Sequence, residues 1–174
     1  MPSSRVPAND PDDDWELSPD TAHPDAAGQL KGPYFWDLRD EHSPFGSDLG
    51  AATLAAYRAA LATDDDLDEA GFLEEFLEAR DVDRVFAEGI ADEALGHRLE
   101  REHSHILAYD DIVVALAFAQ IVLRGEASSQ IAAAAIESLR RQALPEVLAF
   151  RGWSDAALRR RRCREMMTVL RPWT

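Results

Sequence analysis

The chain has 174 residues, 46% of them hydrophobic and 29% charged, and a net charge of −15. This length and apolar fraction suit one globular domain that buries about 70% of its unfolded surface without metal or disulfide staples. Cys163 is the single cysteine, which excludes an intrachain disulfide and a four-thiolate zinc or iron–sulfur centre.

The charge is unevenly placed. Residues 1–100 carry 25 acids and 7 bases, net −18, whereas residues 101–174 carry 8 acids and 11 bases, net +3. Such a field repels nucleic acid from the front half and steers a basic protein partner toward it. No run approaches the roughly 18 consecutive apolar residues of a membrane span. The first residues, MPSSRVPANDPDDDW, lack the apolar stretch of a signal peptide. The expectation is a cytoplasmic protein with no membrane and no nucleic-acid partner.

Residues 1–14, rich in Pro, Ser and Asp, read as a disordered acidic tail, with a single helical domain over residues 15–174. Ser18-Pro19-Asp20 has the order of a helix start, cap then proline then acid, and predicts a short helix running past Pro24 to about Gly28. Residues 33–45 have no helical period and carry Pro33, Pro44 and, just beyond, Gly46. They predict an ordered loop with at most one short extended piece. Ser47 or Asp48 then caps a helix whose stripe is Leu49, Ala52, Leu54, Ala56, Tyr57 and Leu61.

Asp64-Asp65-Asp66 reads as a break and as the acidic N-terminus of the next helix, whose buried face is Leu67, Ala70, Phe72, Leu73, Phe76 and Leu77, with Glu74, Glu75 and Glu78 outside. Val82, Val85, Phe86 and Ile90 suggest another short helix closing near Gly89, and residues 92–105 are ambiguous. Residues 106–123 are the most apolar stretch of the chain and predict a central helix buried on most sides, ended by Arg124-Gly125. Ser128 or Ser129 opens the next helix. A joint at Ala143-Leu144-Pro145 leads to a short segment, and Ser154 caps a last helix that stops before Pro172. The sum is an all-α bundle of about six to eight helices.

Chemistry-bearing residues fall in three places. His97, His103 and His105 stand near Glu102, Asp110 and Asp111, but His103 and His105 are two apart, where a shared metal on a helix wants four. No metal site and no cofactor are therefore assigned. Asp110-Asp111 read as the opening of an apolar helix, where they either cap it or face a polar pocket, and one of them must turn inward, because helical neighbours differ by about 100°. The aromatic–acidic loop is the third place. His23, Tyr34, Trp36, Asp37, Asp40, Phe45 and Asp48 could line a polar aromatic cleft for cations or basic side chains. The same residues also suit a structural role, the rings plugging the bundle and the acids capping backbone groups. Cys163 sits in an arginine run that would activate a thiolate, against the plainer reading of a small residue on a helix face.

The order Trp15…Leu17-Ser18…Ala22-His23-Pro24, then YFWD at 34–37 and SPFGSDLGA at 43–51, followed by AFAQIVLRGE at 117–126 and Arg141-Gln142 ahead of Leu144-Pro145, resembles the uncharacterised bacterial YfeS-like family. The helical body is similar to a broader domain-of-unknown-function group. The resemblance implies one folded unit over most of residues 15–172 and brings no activity, cofactor or catalytic residue with it. The charge map and the loop together predict a non-enzymatic binding module for a basic protein partner, of an immunity- or antitoxin-like kind. The alternative is a small metal-dependent or acid–base enzyme using its His and Asp residues.

Overall fold

The computed structural model describes residues 15–174, and the acidic tail expected over residues 1–14 lies outside them. Among the described residues the regular structure is helical throughout: α1 (Pro24–Gln29), α2 (Asp48–Thr63), α3 (Glu69–Glu78), α4 (Asp92–Arg124), α5 (Ser129–Gln142), α6 (Pro145–Arg151) and α7 (Ala156–Leu170), with 3₁₀ turns at Pro33–Trp36, Arg84–Phe86 and Arg171–Trp173. Seven α-helices match the predicted all-α bundle.

Helix α4 is the axis. Every residue from 112 to 123 is buried, so α2 and α5 pack against it and α7 packs on α5. A helix covered on all sides has no polar face to spare, which explains a stretch without amphipathic period. Ile112, Leu116, Phe118 and Ile121 are fully buried; each such side chain contributes about 1.5–3 kcal/mol of transfer free energy. By length and composition α4 could cross a membrane, yet 83% of its most apolar window is buried inside the protein.

Local chemistry set several boundaries as expected. Ser47 Oγ accepts from Gly50 N and caps α2. Gly125 closes α4 in the left-handed region at φ 77°, a conformation glycine adopts without a Cβ penalty. Elsewhere the structure corrects the sequence reading. The first helix starts at Pro24 and not at Ser18, because His23 Nδ1 accepts from Asp25 N and supplies the cap, while Ser18 closes a turn with Thr21. The 33–45 loop holds a 3₁₀ turn and no extended piece. Asp64–Asp66 precede α3 without entering it. The segment around Val82–Ile90 is a 3₁₀ turn with Val85 63% exposed. Asp155, not Ser154, caps α7 through a bond from Leu158 N.

The largest correction concerns residues 92–105, which form about the first four turns of α4 and pack a satellite core of Leu95, Leu99, Ile106 and Val147. The two arms of α4 meet at Glu102, which departs from helical geometry (φ −127°, ψ 23°). His103 Nδ1 lies 3.2 Å from the Leu99 carbonyl, the oxygen that His103 N would use in a regular helix. Side-chain insertion into the ladder is a recognised cause of such kinks.

Candidate functional site

The seven residues predicted to form an aromatic–acidic cleft take separate places. Phe45 and Tyr34 are buried at 0% and 2% exposure; Tyr34 packs on Phe35 at 4.2 Å and under the Arg162 guanidinium at 4.2 Å. Burial drives the Tyr34 hydroxyl pKa well above its ordinary range. Trp36 Nε1 donates to the Leu30 carbonyl at 2.9 Å. Asp37 Oδ1 accepts from Arg39 N, and Asp40 Oδ1 from His42 N, each at 2.8 Å. Asp48 stands exposed in the first turn of α2, where a carboxylate complements the helix dipole. His23 lies against the end of α4, its N–H donating to the Val122 carbonyl at 2.7 Å. Rings enter the core and acids close turns.

The loop does build something, with residues outside the predicted cleft. His42 is buried and stacks on Trp153 at 5.4 Å. Arg159, 4% exposed, donates from Nη1 to the His42 carbonyl at 3.2 Å and from Nη2 to Gln142 Oε1. The Trp153 ring faces both Arg159 at 4.5 Å and Arg151 at 5.8 Å. Arg151 holds Asp111 through two hydrogen bonds of 2.7 and 3.2 Å. Ser154 Oγ donates to Glu41 Oε1 at the edge of this cluster. Burial lowers the pKa of both His42 and Arg159, and the Arg159 charge lowers that of His42 further. An arginine run gave the only hint of a buried cation here; which arginine turned inward depends on the register of α7.

Histidines of the polar arm of α4 are occupied locally. His105 Nδ1 accepts from Asp83 N at 3.1 Å and its ring meets Phe86, while the His103 ring meets Phe150. Among the described residues no group of three or more His, Cys, Asp or Glu side chains is placed to hold a metal ion. Asp110 and Asp111 do not open a helix; they sit mid-α4, and Asp110 is the inward one, fully buried against Arg141.

The acidic front half acquires a shape at the end of α3. A surface groove of about 320 Å³ is lined by Glu74, Leu77, Glu78, Asp81, Val82, Asp83 and Arg84. Asp81 holds φ 54°, in the left-handed region that Asp tolerates better than most residues. It turns the chain so that α3 and the following 3₁₀ turn form two walls. Arg84 is the one basic lining residue, and it is paired with Glu74 and with Glu88 at 2.5 Å. The remaining carboxylates of the lining are exposed, and Val85, 63% exposed, adds an apolar edge beside them.

The chain is similar to the uncharacterized protein YfeS of Escherichia coli (strain K12), with 28% identity over 139 residues that cover 76% of this chain and 55% of that protein. This agrees with the resemblance carried by the YFWD and SPFGSDLGA segments. The chain thus spans about half the length of the curated relative it matches. No family model matches the sequence, and no solved structure matches the fold.

Proposed function

We propose that this chain is a non-enzymatic protein-binding module whose acidic face receives a basic segment of a partner, in the manner of an immunity- or antitoxin-like protector. One observation carries the reading: the groove at the end of α3 sets Glu74, Glu78, Asp81 and Asp83 around Leu77 and Val82. Carboxylates steer a cationic partner and penalise an anionic one, and apolar contacts beneath them supply the desolvated area that holds it. The net −18 of residues 1–100 extends the attraction beyond the groove. The predicted loop enters this reading as the frame for the bundle end, since its rings are buried and its acids close turns.

The test is capture of a partner by the full chain and by the triple variant Glu74→Lys, Glu78→Lys, Asp81→Lys. All three positions are exposed, so the variant retains its fold, which its circular dichroism checks. The expected result is a basic protein held by the parent chain, released by the triple variant, with association that slows steeply as salt rises. A partner held equally by both chains, or one whose association ignores salt, would overturn the reading.

A further inference from the structure

The arginine run of α7 divides by helical register. Arg159 turns into the core, and Arg161 and Arg162 both reach Glu165. Arg160 and Arg164, four positions apart, share another face with Met167. These three line a surface groove of about 330 Å³ together with Arg140 of α5 and the Ala143-Leu144-Pro145 joint. Ligand clefts run from about 300 to 1,000 Å³, so this one has room for a few side chains of a partner.

The lining holds three guanidinium groups and no carboxylate. Arg140 is already bonded to Asp92 and Glu137, which stand outside the groove. Arg160 and Arg164 make no ion pair among the described residues, and Glu146, the acid beside Pro145, pairs with neither. Like charges four apart on a helix repel each other. A chain with 33 acids and 18 bases has carboxylates to spare, yet none is placed against these two. Arg160 is also partly buried, which strips some of its hydration without a counter-charge in return. Between the charges the groove is apolar: Ala143, Leu144 and Met167 are partly buried, and Pro145 is exposed. The Met167 thioether repacks readily around an entering side chain.

We infer that this groove docks an acidic amphipathic helix of a protein partner. Its carboxylates meet Arg160 and Arg164, and an aliphatic side chain rests on Leu144, Pro145 and Met167. The register of α7 sets the partner's pattern. Guanidinium groups at i and i+4 with an apolar contact at i+7 match Glu at i and i+4 and Leu at i+7 on a facing helix. Nucleic acid or an anionic membrane would extend past the groove and meet the field of a chain with net charge −15. The carboxylates of a short helix lie within one screening length of the two arginines, about 8 Å at physiological salt. The groove shares no lining residue with the acidic one at the end of α3, so either surface stands if the other fails.

The probe is a capped helical peptide with two glutamates four apart and a leucine three beyond the second. It is titrated into the full chain carrying methyl-labelled methionine, with the same peptide bearing glutamine for glutamate as control. The Met167 methyl signal, assigned through Met167→Leu, is expected to move saturably with the glutamate peptide and not with the glutamine peptide. The double variant Arg160→Gln, Arg164→Gln keeps two polar side chains and removes both charges. Its binding is expected to weaken about tenfold and to fall less steeply with salt than that of the parent. Circular dichroism checks its fold, and the two peptides on the parent chain decide the matter if that fold is lost. A Met167 methyl unmoved by the glutamate peptide, equal binding of the two peptides, or undiminished binding by a folded double variant would overturn the inference. So would an RNA oligonucleotide or phosphatidylglycerol vesicles bound more tightly than the peptide through the same arginines, or a dimer of the parent chain that the double variant lacks, since each gives the groove another occupant.

Discussion

Arg141 grips Asp110 through two hydrogen bonds, Nε to Oδ2 at 3.0 Å and Nη2 to Oδ1 at 2.5 Å, deep between α5 and α4. The carboxylate is completely buried and the guanidinium 8% exposed. Arg141 also donates from Nη1 to the Ala87 carbonyl at 2.8 Å, which ties the segment before α4 to the same point. Burial alone would lower the Arg141 pKa, but its bonds with Asp110 hold the guanidinium above its ordinary range.

Breaking this pair from one side leaves a buried charge without its partner. Asp110→Ala is expected to cost about 3–5 kcal/mol, whereas Asp110→Leu combined with Arg141→Met recovers most of that loss. Urea denaturation of the two variants measures it. A double variant as unstable as the single one would show that the pair contributes net stability beyond its own desolvation.

Two left-handed glycines separate backbone strain from packing. Gly152 has φ 65° and open space where a Cβ would go, so Gly152→Ala is expected to cost only the backbone term of about 1–2 kcal/mol. Gly125 has φ 77°, and a Cβ there would overlap the His23 ring. Gly125→Ala must also displace the cap of α1, adding about 1 kcal/mol or more. Thermal unfolding of both variants checks the order.

His42 gives the stability a signed pH dependence. Its folded pKa is lowered, by burial first and then by Arg159, with Glu41 and Asp40 pulling the other way. The unfolded chain therefore takes up a proton on His42, near its ordinary pKa of about 6.5, while the folded protein still refuses it. Stability is fully present above that value and falls as the pH drops below it. His42→Phe keeps a ring on Trp153 and removes the titration. The expected result is a smaller loss of stability between about pH 7.5 and 5.5 than in the parent chain, read from denaturation midpoints.

Cys163 should be inert in the folded protein. It is fully buried, and burial raises its pKa despite the opposing charges of Arg159 and Arg151. A thiol reagent is expected to label it only after denaturation, since the thiolate is the nucleophile. Rapid labelling of the native chain would contradict this placement.

How much of this was legible in the sequence depended on the range of the interaction. Ser47, Gly125 and the stop before Pro172 are local signals, each set by one residue and its neighbours, and they stand where the sequence puts them. Ser18-Pro19-Asp20 carries an equally good signal and starts no helix, because the chain at His23 is tied to the Val122 carbonyl at the end of α4. The polar turns at 92–101 hid a helix because their apolar residues, Leu95 and Leu99, serve a small separate core. At the site, the aromatics of 34–45 were visible as unusual, but nothing in the sequence separates a buried ring from one that binds.

The sequence by itself determined the all-α class, the central helix over the apolar 106–123 stretch, and the split between an acidic front and a mildly basic back. These follow from composition and period, which act within a few turns of chain. Only the tertiary structure decided the partners of the charges: that Asp110 meets Arg141 across 31 residues, and that Arg159 reaches the His42 carbonyl across 117. A charge at the surface is satisfied by water wherever it points, so its neighbours leave no trace in the sequence. A buried charge must find its partner in the packed interior, and that is settled by which helix faces meet.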